Sequence, residues 1–317
     1  MNNYLIMDGG MGTILRDKFN NNDRVLWSLK PYFTNKDHIK KAHELFLNSG
    51  ADIIITNNYC ATPYYLNKVN ITIDKIPNII KDIGLIGRTI LNNYEDVLLF
   101  GSIPPYGESY NTIIENKSNI FKHYLTTFIS LYTNVDSFIF ETVSSLDEFN
   151  LILEFIEYIK INKKIINCDI LKKKHRNFNN IIKKEICNKI FISFCVNYTG
   201  EEILDGTNLD FIIQRLLNNK INYIFLNCSP INYINKTIDY ISKNKQIKIG
   251  VYPNKHMKTI KDFNLENEFN KEIIYSDISK EEFCKYKDKW INQNVKIIGG
   301  CCGINEEYIK ILNRSKL

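Results

Sequence analysis

The sequence lacks the features that would make it a secreted, membrane-spanning or disulfide-built protein. Its eight cysteines follow no evenly spaced framework, and a chain of 317 residues can bury a large core without cross-links. No secretory signal precedes Asp8, because residues 4–7 are far too few for an apolar signal core. The longest apolar runs, such as 53–55 and 97–100, are interrupted well before membrane-spanning length, which argues against a transmembrane enzyme. Together these absences predict a reducing, cytoplasmic setting.

What is present is globular in character. Hydrophobic residues make up 44% of the chain and aromatics 12%, enough for a packed interior despite long tracts rich in Asn, Ile and Lys. The formal net charge of +6 is local in origin, since residues 160–189 carry ten Lys or Arg against two acidic residues and leave the remainder slightly acidic. That segment has neither a regular aromatic interleave nor an RNA-binding motif, so it reads as a solvated insert. Neither a nucleic-acid nor a membrane partner is expected; a homo-oligomer is compatible with the sequence.

Short β-branched or aromatic runs at 4–7, 52–56, 97–101, 137–141, 190–196, 223–227, 247–251 and 296–299 alternate with helical periodicity at 35–47, 75–92, 111–132, 145–159, 209–218, 231–243, 280–290 and 306–313. Eight strand–helix units spread to the end of the chain predict a single α/β domain over 1–317, a (β/α)8 TIM-type barrel in preference to an open doubly wound sheet. Two stretches break the repeat. The basic insert at 160–189 enlarges the fourth connection as an outer excursion, and a polar extension at 255–278 either covers substrate or is a surface loop.

The expected strand ends are chemically richer than the starts, and in a barrel they converge on one mouth. Gly299-Gly300 and Gly303 flank adjacent Cys301 and Cys302, a place where tight turning can bring neighbouring side chains toward one centre. Cys228 stands at another strand end. Three thiolates with a free fourth position suit zinc, although an adjacent cysteine pair alone is equally compatible with incidental or redox-active thiols. Cys60, Cys168, Cys187, Cys195 and Cys284 lack comparable placement and read as structural.

The ordered set Asp8-Gly9-Gly10-Met11-Gly12-Thr13, residues 51–57, Glu141-Thr142, Asp205-Gly206-Thr207, Asn227-Cys228, Tyr252-Pro253-Asn254 and Gly299-Gly300-Cys301-Cys302-Gly303 resembles the homocysteine S-methyltransferase family, particularly its short single-domain members. The resemblance implies a zinc-dependent barrel that methylates homocysteine to methionine, with Cys228, Cys301 and Cys302 as Zn2+ ligands that activate the thiol. It also implies homocysteine contacts at Asp8 and Glu141. Backbone N–H groups near Gly9 and Gly10 are candidates for the substrate carboxylate, and Asn227, Tyr252 and Asn254 for shaping the pocket.

Family resemblance favours S-methylmethionine or S-adenosylmethionine as donor, with betaine second. A related thiol or selenol methyltransferase and a non-catalytic zinc-binding scaffold are the remaining alternatives. Ile304, Asn58 and Cys60 depart from commoner family choices, which bears on local hydrogen bonding and on the donor pocket but leaves the three cysteines intact.

Overall fold

Parallel strands covered on both faces need nearly continuous apolar sequence, and the β-branched and aromatic runs supply it. The computed structural model describes residues 4–162, 180–256 and 276–314. Within them eight strands form: β1 (Leu5–Ile6), β2 (Ile53–Ile55), β3 (Leu98–Ile103), β4 (Ser137–Val143), β5 (Ile190–Phe194), β6 (Tyr223–Pro230), β7 (Lys248–Asn254) and β8 (Val295–Ile298). All neighbours pair in parallel, and β1 lies beside β8 with Leu5 opposite Ile297. The ring closes between β1 and β2 through a parallel Met7–Ile53 bridge, with Asp52 N donating to Ile6 O at 2.7 Å and Asp8 N to Ile53 O at 2.9 Å. This is the expected (β/α)8 barrel.

Two apolar layers follow from the alternation of side chains along each strand. Leu5, Ile53, Leu98, Phe100, Ile139, Phe191, Phe225 and Ile297 fill the barrel interior, where Phe191 stacks on Phe100 with ring centroids 5.4 Å apart. The opposite faces of the strands pack against the surrounding helices. Twelve α-helices occur among the described residues: α1 (Met11–Phe19), α2 (Lys30–Thr34), α3 (Lys36–Asn48), α4 (Pro63–Asn67), α5 (Ile76–Ile90), α6 (Lys117–Leu131), α7 (Leu146–Ile161), α8 (Ile181–Ile186), α9 (Leu209–Asn218), α10 (Ile231–Ile241), α11 (Lys280–Ile291) and α12 (Glu306–Arg314). Side-chain caps set several starts: Ser145 accepts from Glu148 N, Asn208 from Asp210 N and Ser279 from Glu282 N.

Three expectations need correction. The helix expected over 111–132 begins only at Lys117, because Asn116 accepts from Asn119 N and fixes the N-terminus there. Strands β6 and β7 run past the expected 227 and 251, to Pro230 and Asn254, and β6 does so across a register shift between Asn227 and Pro230.

The third concerns the basic stretch. Residues 163–179, with Cys168, and residues 257–275 of the polar extension lie outside the described residues. The described end of the 160–189 segment is no outer excursion, however. Helix α8 stoppers the barrel at the amino ends of the strands, with Ile186 fully buried and Ile182 and Cys187 packed against the interior cluster. Lys183, 4% exposed, reaches Asp52 Oδ1 at 3.2 Å and Asp96 Oδ2 at 3.0 Å, joining the approaches to β2 and β3. A lysine inside a charge run is buried here because two carboxylates meet it.

Candidate active site

At the carboxyl ends of the strands, side chains from β1, β4, β6, β7 and β8 converge on one cavity. It is lined by Asp8, Gly9, Gly10, Glu141, Cys228, Tyr252, Cys301 and Cys302 among others. Asn227 and Asn254 do not line it; both lie buried behind it.

Cys228 reaches the cavity because the backbone is bent to aim it. Its φ is +46°, in the left-handed region that non-glycine residues rarely occupy, at the register shift of β6. Three neighbours hold this turn. Tyr110 Oη and Asn254 Nδ2 both donate to the Cys228 carbonyl, at 2.9 and 2.8 Å. The Asn227 amide spans β4, β5 and β6: it donates to Thr142 Oγ1 at 3.0 Å and accepts from Ser193 Oγ at 2.7 Å and Thr142 N at 3.1 Å. Thr142, at the matching irregularity of β4, also has positive φ, at +61°. Strained backbone at two facing strand ends, each held by buried hydrogen bonds, marks a site where aim outweighs local stability.

Cys301 and Cys302 follow β8 in a turn fixed by Cys301 N donating to Pro253 O at 2.8 Å and Lys255 N to Cys302 O at 2.9 Å. The Cys301 and Cys302 sulfurs are 4.0 Å apart, and the sulfurs of Cys228 and Cys301 are in bonding contact, with their Cα atoms 5.7 Å apart. The three expected cysteines thus lie together at one wall of the cavity. In this arrangement no group of three or more Cys, His, Asp or Glu among the described residues is set to hold a metal ion.

The donor set nonetheless fits zinc once the Cys228–Cys301 pair is reduced. A tetrahedral centre with Zn–S bonds of about 2.3 Å places its sulfurs roughly 3.8 Å apart, close to the Cys301–Cys302 separation, and rotation of the Cys228 and Cys301 side chains would open the remaining edges. Burial pushes the Cys302 thiol up to about 11, with the charge of Arg16 acting in the opposite direction; a bound cation would hold it as thiolate.

Beneath the thiols lie two buried acids. Asp8, 4% exposed, accepts from Ile55 N at 2.9 Å, and burial first, then the nearby Glu141 charge, holds its carboxyl well above the usual range. Glu141 accepts from Ser102 Oγ at 2.5 Å, and burial raises it to about 7. Two carboxyls that are costly to ionise and face one cavity suit a cationic group that would stabilise both as carboxylates.

One of the two amides expected to meet a substrate carboxylate is already engaged. Gly10 N is committed to Ile304 O at 2.8 Å. Gly10 caps α1 without any side-chain hydrogen bond, and Met11, Gly12 and Thr13 of its first turn line the cavity. The first-turn amides of a helix, together with its dipole, form an anion-binding end. A side chain at Gly10 would bring its Cβ within 2.6 Å of the Cys301 carbonyl, so glycine lets α1 approach the cysteine turn.

Sequence reasoning missed much of the remaining wall: Thr13, Arg16, Trp27, Ser109, Tyr110 and His256. Trp27 has φ +43°, and its indole lies over Gly12, where a Cβ would come within 2.3 Å of the ring. The departing Asn58 and Cys60 are buried off the wall, Asn58 donating to Ser102 O at 2.9 Å, so the pocket is faced by their neighbours Asn57 and Tyr59. Cys195 packs fully buried beside Tyr110 and Cys228, its thiol 3.5 Å from Asn227 O.

The chain is similar along nearly its whole length to known proteins. The model of the family described as homocysteine S-methyltransferase matches residues 5–315. Homocysteine S-methyltransferase 1 of Arabidopsis thaliana is 23% identical over 337 residues, covering 98% of this chain and 92% of its own. Selenocysteine Se-methyltransferase of Brassica oleracea var. italica is 22% identical, covering 98% and 88%. Among solved structures, the metallated form of the homocysteine methyltransferase MmuM from Escherichia coli has the same fold, with a TM-score of 0.75 at 19% identity over 99% of this chain and 96% of that one. The oxidized form of the same protein superposes with the same TM-score.

Proposed function

The chain belongs to the homocysteine S-methyltransferase family and is an enzyme of methyl transfer to homocysteine, and from that premise we propose that Cys228, Cys301 and Cys302 hold zinc and that the donor is a small sulfonium, S-methylmethionine or S-adenosylmethionine. The observation that supports this reading best is the convergence of three cysteines, from β6 and the turn after β8, above two buried acids in one cavity.

Asp8 and Glu141 receive the α-ammonium of homocysteine, and the first-turn amides of α1 receive its carboxylate. The amino acid is thereby held by both ends, with its thiol directed at the cysteines. Bound there, zinc would keep that sulfur as a thiolate at neutral pH, where a free thiol is mostly protonated. The acceptor sulfur forms a bond to the methyl carbon as the donor's carbon–sulfur bond breaks in line. The electron pair stays on the departing sulfur, which leaves as a neutral thioether. Tyr110 and Asn254 keep Cys228 aimed, and the apolar walls around Trp27 exclude water from the methyl group.

Three thiolates and one zinc ion carry a formal charge of −1, which favours a cationic donor. The name of the Brassica relative keeps a selenol acceptor as a second reading. A reducing, cytoplasmic setting suits three thiols that must remain open to metal.

The test is a product-resolved assay of reduced, zinc-loaded protein with homocysteine and separately labelled S-methylmethionine, S-adenosylmethionine and betaine, with Cys301→Ala as control. Labelled methionine from a sulfonium, absent in the control, is the expected result. Transfer from betaine alone would reassign the donor; transfer from none of them at full zinc occupancy would reject the reading.

A further inference from the structure

The catalytic reading leaves one charged group of the cavity without a task. Of the residues that line it, Asp8, Glu141 and Arg16 bear ionisable acid or guanidinium groups, and Arg16 is the single Lys or Arg among those described. Its position differs from that of the acids. Asp8 and Glu141 are 4% and 9% exposed, on the cavity floor, whereas the Arg16 side chain is 36% exposed, at the mouth.

Arg16 is placed there by α1. It stands one turn beyond Gly12 and Thr13, on the helix face that carries the indole of Trp27 over Gly12. Its ion pair with the adjacent Asp17, Nε to Oδ1 at 2.8 Å, joins two wet groups. An exposed pair of this kind contributes little to stability.

A cation at this point would oppose entry of a sulfonium unless the sulfonium brought an anion of its own. Each amino-acid substrate in the proposed reaction carries one carboxylate. The α1 amides account for one of them, and among the described lining residues Arg16 is the one Lys or Arg left for the other. We infer that Arg16 receives the carboxylate of the methyl donor, so that the site selects zwitterionic onium donors over onium ions that lack a carboxylate. This inference rests on the methyl-transfer reading. A planar guanidinium suits the task because it can grip a carboxylate through two parallel hydrogen bonds, which fixes the orientation of the donor as well as its presence. The carboxylate then stays at the mouth while the methyl group points inward.

The experiment compares zinc-loaded wild type, Arg16→Met and Arg16→Lys, each checked for an unchanged circular dichroism spectrum. Steady-state constants are measured with S-methylmethionine and with trimethylsulfonium, which has no carboxylate, and S-methylmethionine binding to the homocysteine-loaded protein is followed by equilibrium dialysis. In Arg16→Met the KM and dissociation constant for S-methylmethionine should rise about tenfold or more, the preference for S-methylmethionine over trimethylsulfonium should fall by a similar factor, and Arg16→Lys should recover part of both. An unchanged preference in Arg16→Met would overturn the inference while leaving the methyl-transfer reading intact. A rise confined to the homocysteine KM would also overturn it, by assigning Arg16 to the acceptor. Wild-type protein that neither transfers methyl nor binds S-methylmethionine would overturn both.

Discussion

Asn254 donates its side-chain amide to the carbonyl oxygen of Cys228 across 2.8 Å, so the end of β7 holds the strained turn that presents the β6 thiol. The asparagine does not line the cavity, and its influence on the site passes through the cysteine. Asn254→Ala should therefore weaken zinc affinity by roughly 10–100-fold, the usual cost of losing a group that orients a ligand. Chelator competition on reduced protein checks this; an unchanged affinity would detach Asn254 from the site.

Cys301→Ala should lower zinc content well below one per chain and abolish methyl transfer. Cys195→Ala should keep both, because Cys195 packs behind the wall with its thiol turned to Asn227 O. Metal analysis of the two variants, prepared under reducing conditions, distinguishes the cysteines of the cavity from the one that only supports it.

Glu141 gives the protein a pH signature. Burial raises its carboxyl from 4.5 to about 7 in the folded state, and Glu148, buried against Tyr124, shows the same rise. The folded protein thus holds protons between pH 4.5 and 7 that the unfolded chain has released, and this contribution to stability is present at low pH and lost as pH climbs through about 7. Homocysteine acts in the opposite sense, because its ammonium favours the ionised carboxyl. Its affinity should rise as pH increases toward 7, and isothermal titration should show proton release on binding near pH 6. Glu141→Gln should remove that inflection.

Gly12→Ala tests the fit between α1 and Trp27. The added Cβ would come within 2.3 Å of the indole, so the ring must move. A cost of about 1–3 kcal/mol is expected from overpacking, together with a shifted fluorescence spectrum, which reads only Trp27 and Trp290. An unaltered spectrum with native stability would show that the wall yields more easily than its geometry indicates.

Lys183→Met tests the stopper at the other end of the barrel. Removing the ammonium leaves Asp52 and Asp96 without it, and both are partly wet, at 21% and 44% side-chain exposure, so a loss of about 1–3 kcal/mol is expected, below the full cost of a dry broken pair. Denaturant melts should record it, while KM values for both substrates stay at wild-type levels, since this face of a barrel serves stability.

The barrel was legible because parallel strands advertise themselves as unbroken apolar runs, and the residues at their ends, Asp8, Glu141 and the three cysteines, came with them. Helix α1 was not. It starts Met-Gly-Thr behind a glycine that offers no capping side chain, so neither periodicity nor a cap marked it. Helix α8 was hidden by its lysines, which masked the burial of Ile186 and of Lys183 itself. Arg16, Trp27, Ser109, Tyr110 and His256 come from the first helix and from loops whose convergence depends on the closed barrel, a relation no local pattern carries. The one local sign was compositional, a tryptophan in a chain with only two.

Barrel closure also sets a timetable. Strand β8 pairs with β1 across almost the entire sequence, and two of the three clustered cysteines follow directly behind it. During synthesis, a chain that has emerged past residue 228 but not as far as β8 carries Cys228 alone of the three and has an open seam beside Leu5 and Ile6. Contacts of such long sequence separation form late. The site is therefore among the last parts of the molecule to exist, and an incomplete chain cannot assemble the three-cysteine cluster before the fold that disciplines those thiols is finished.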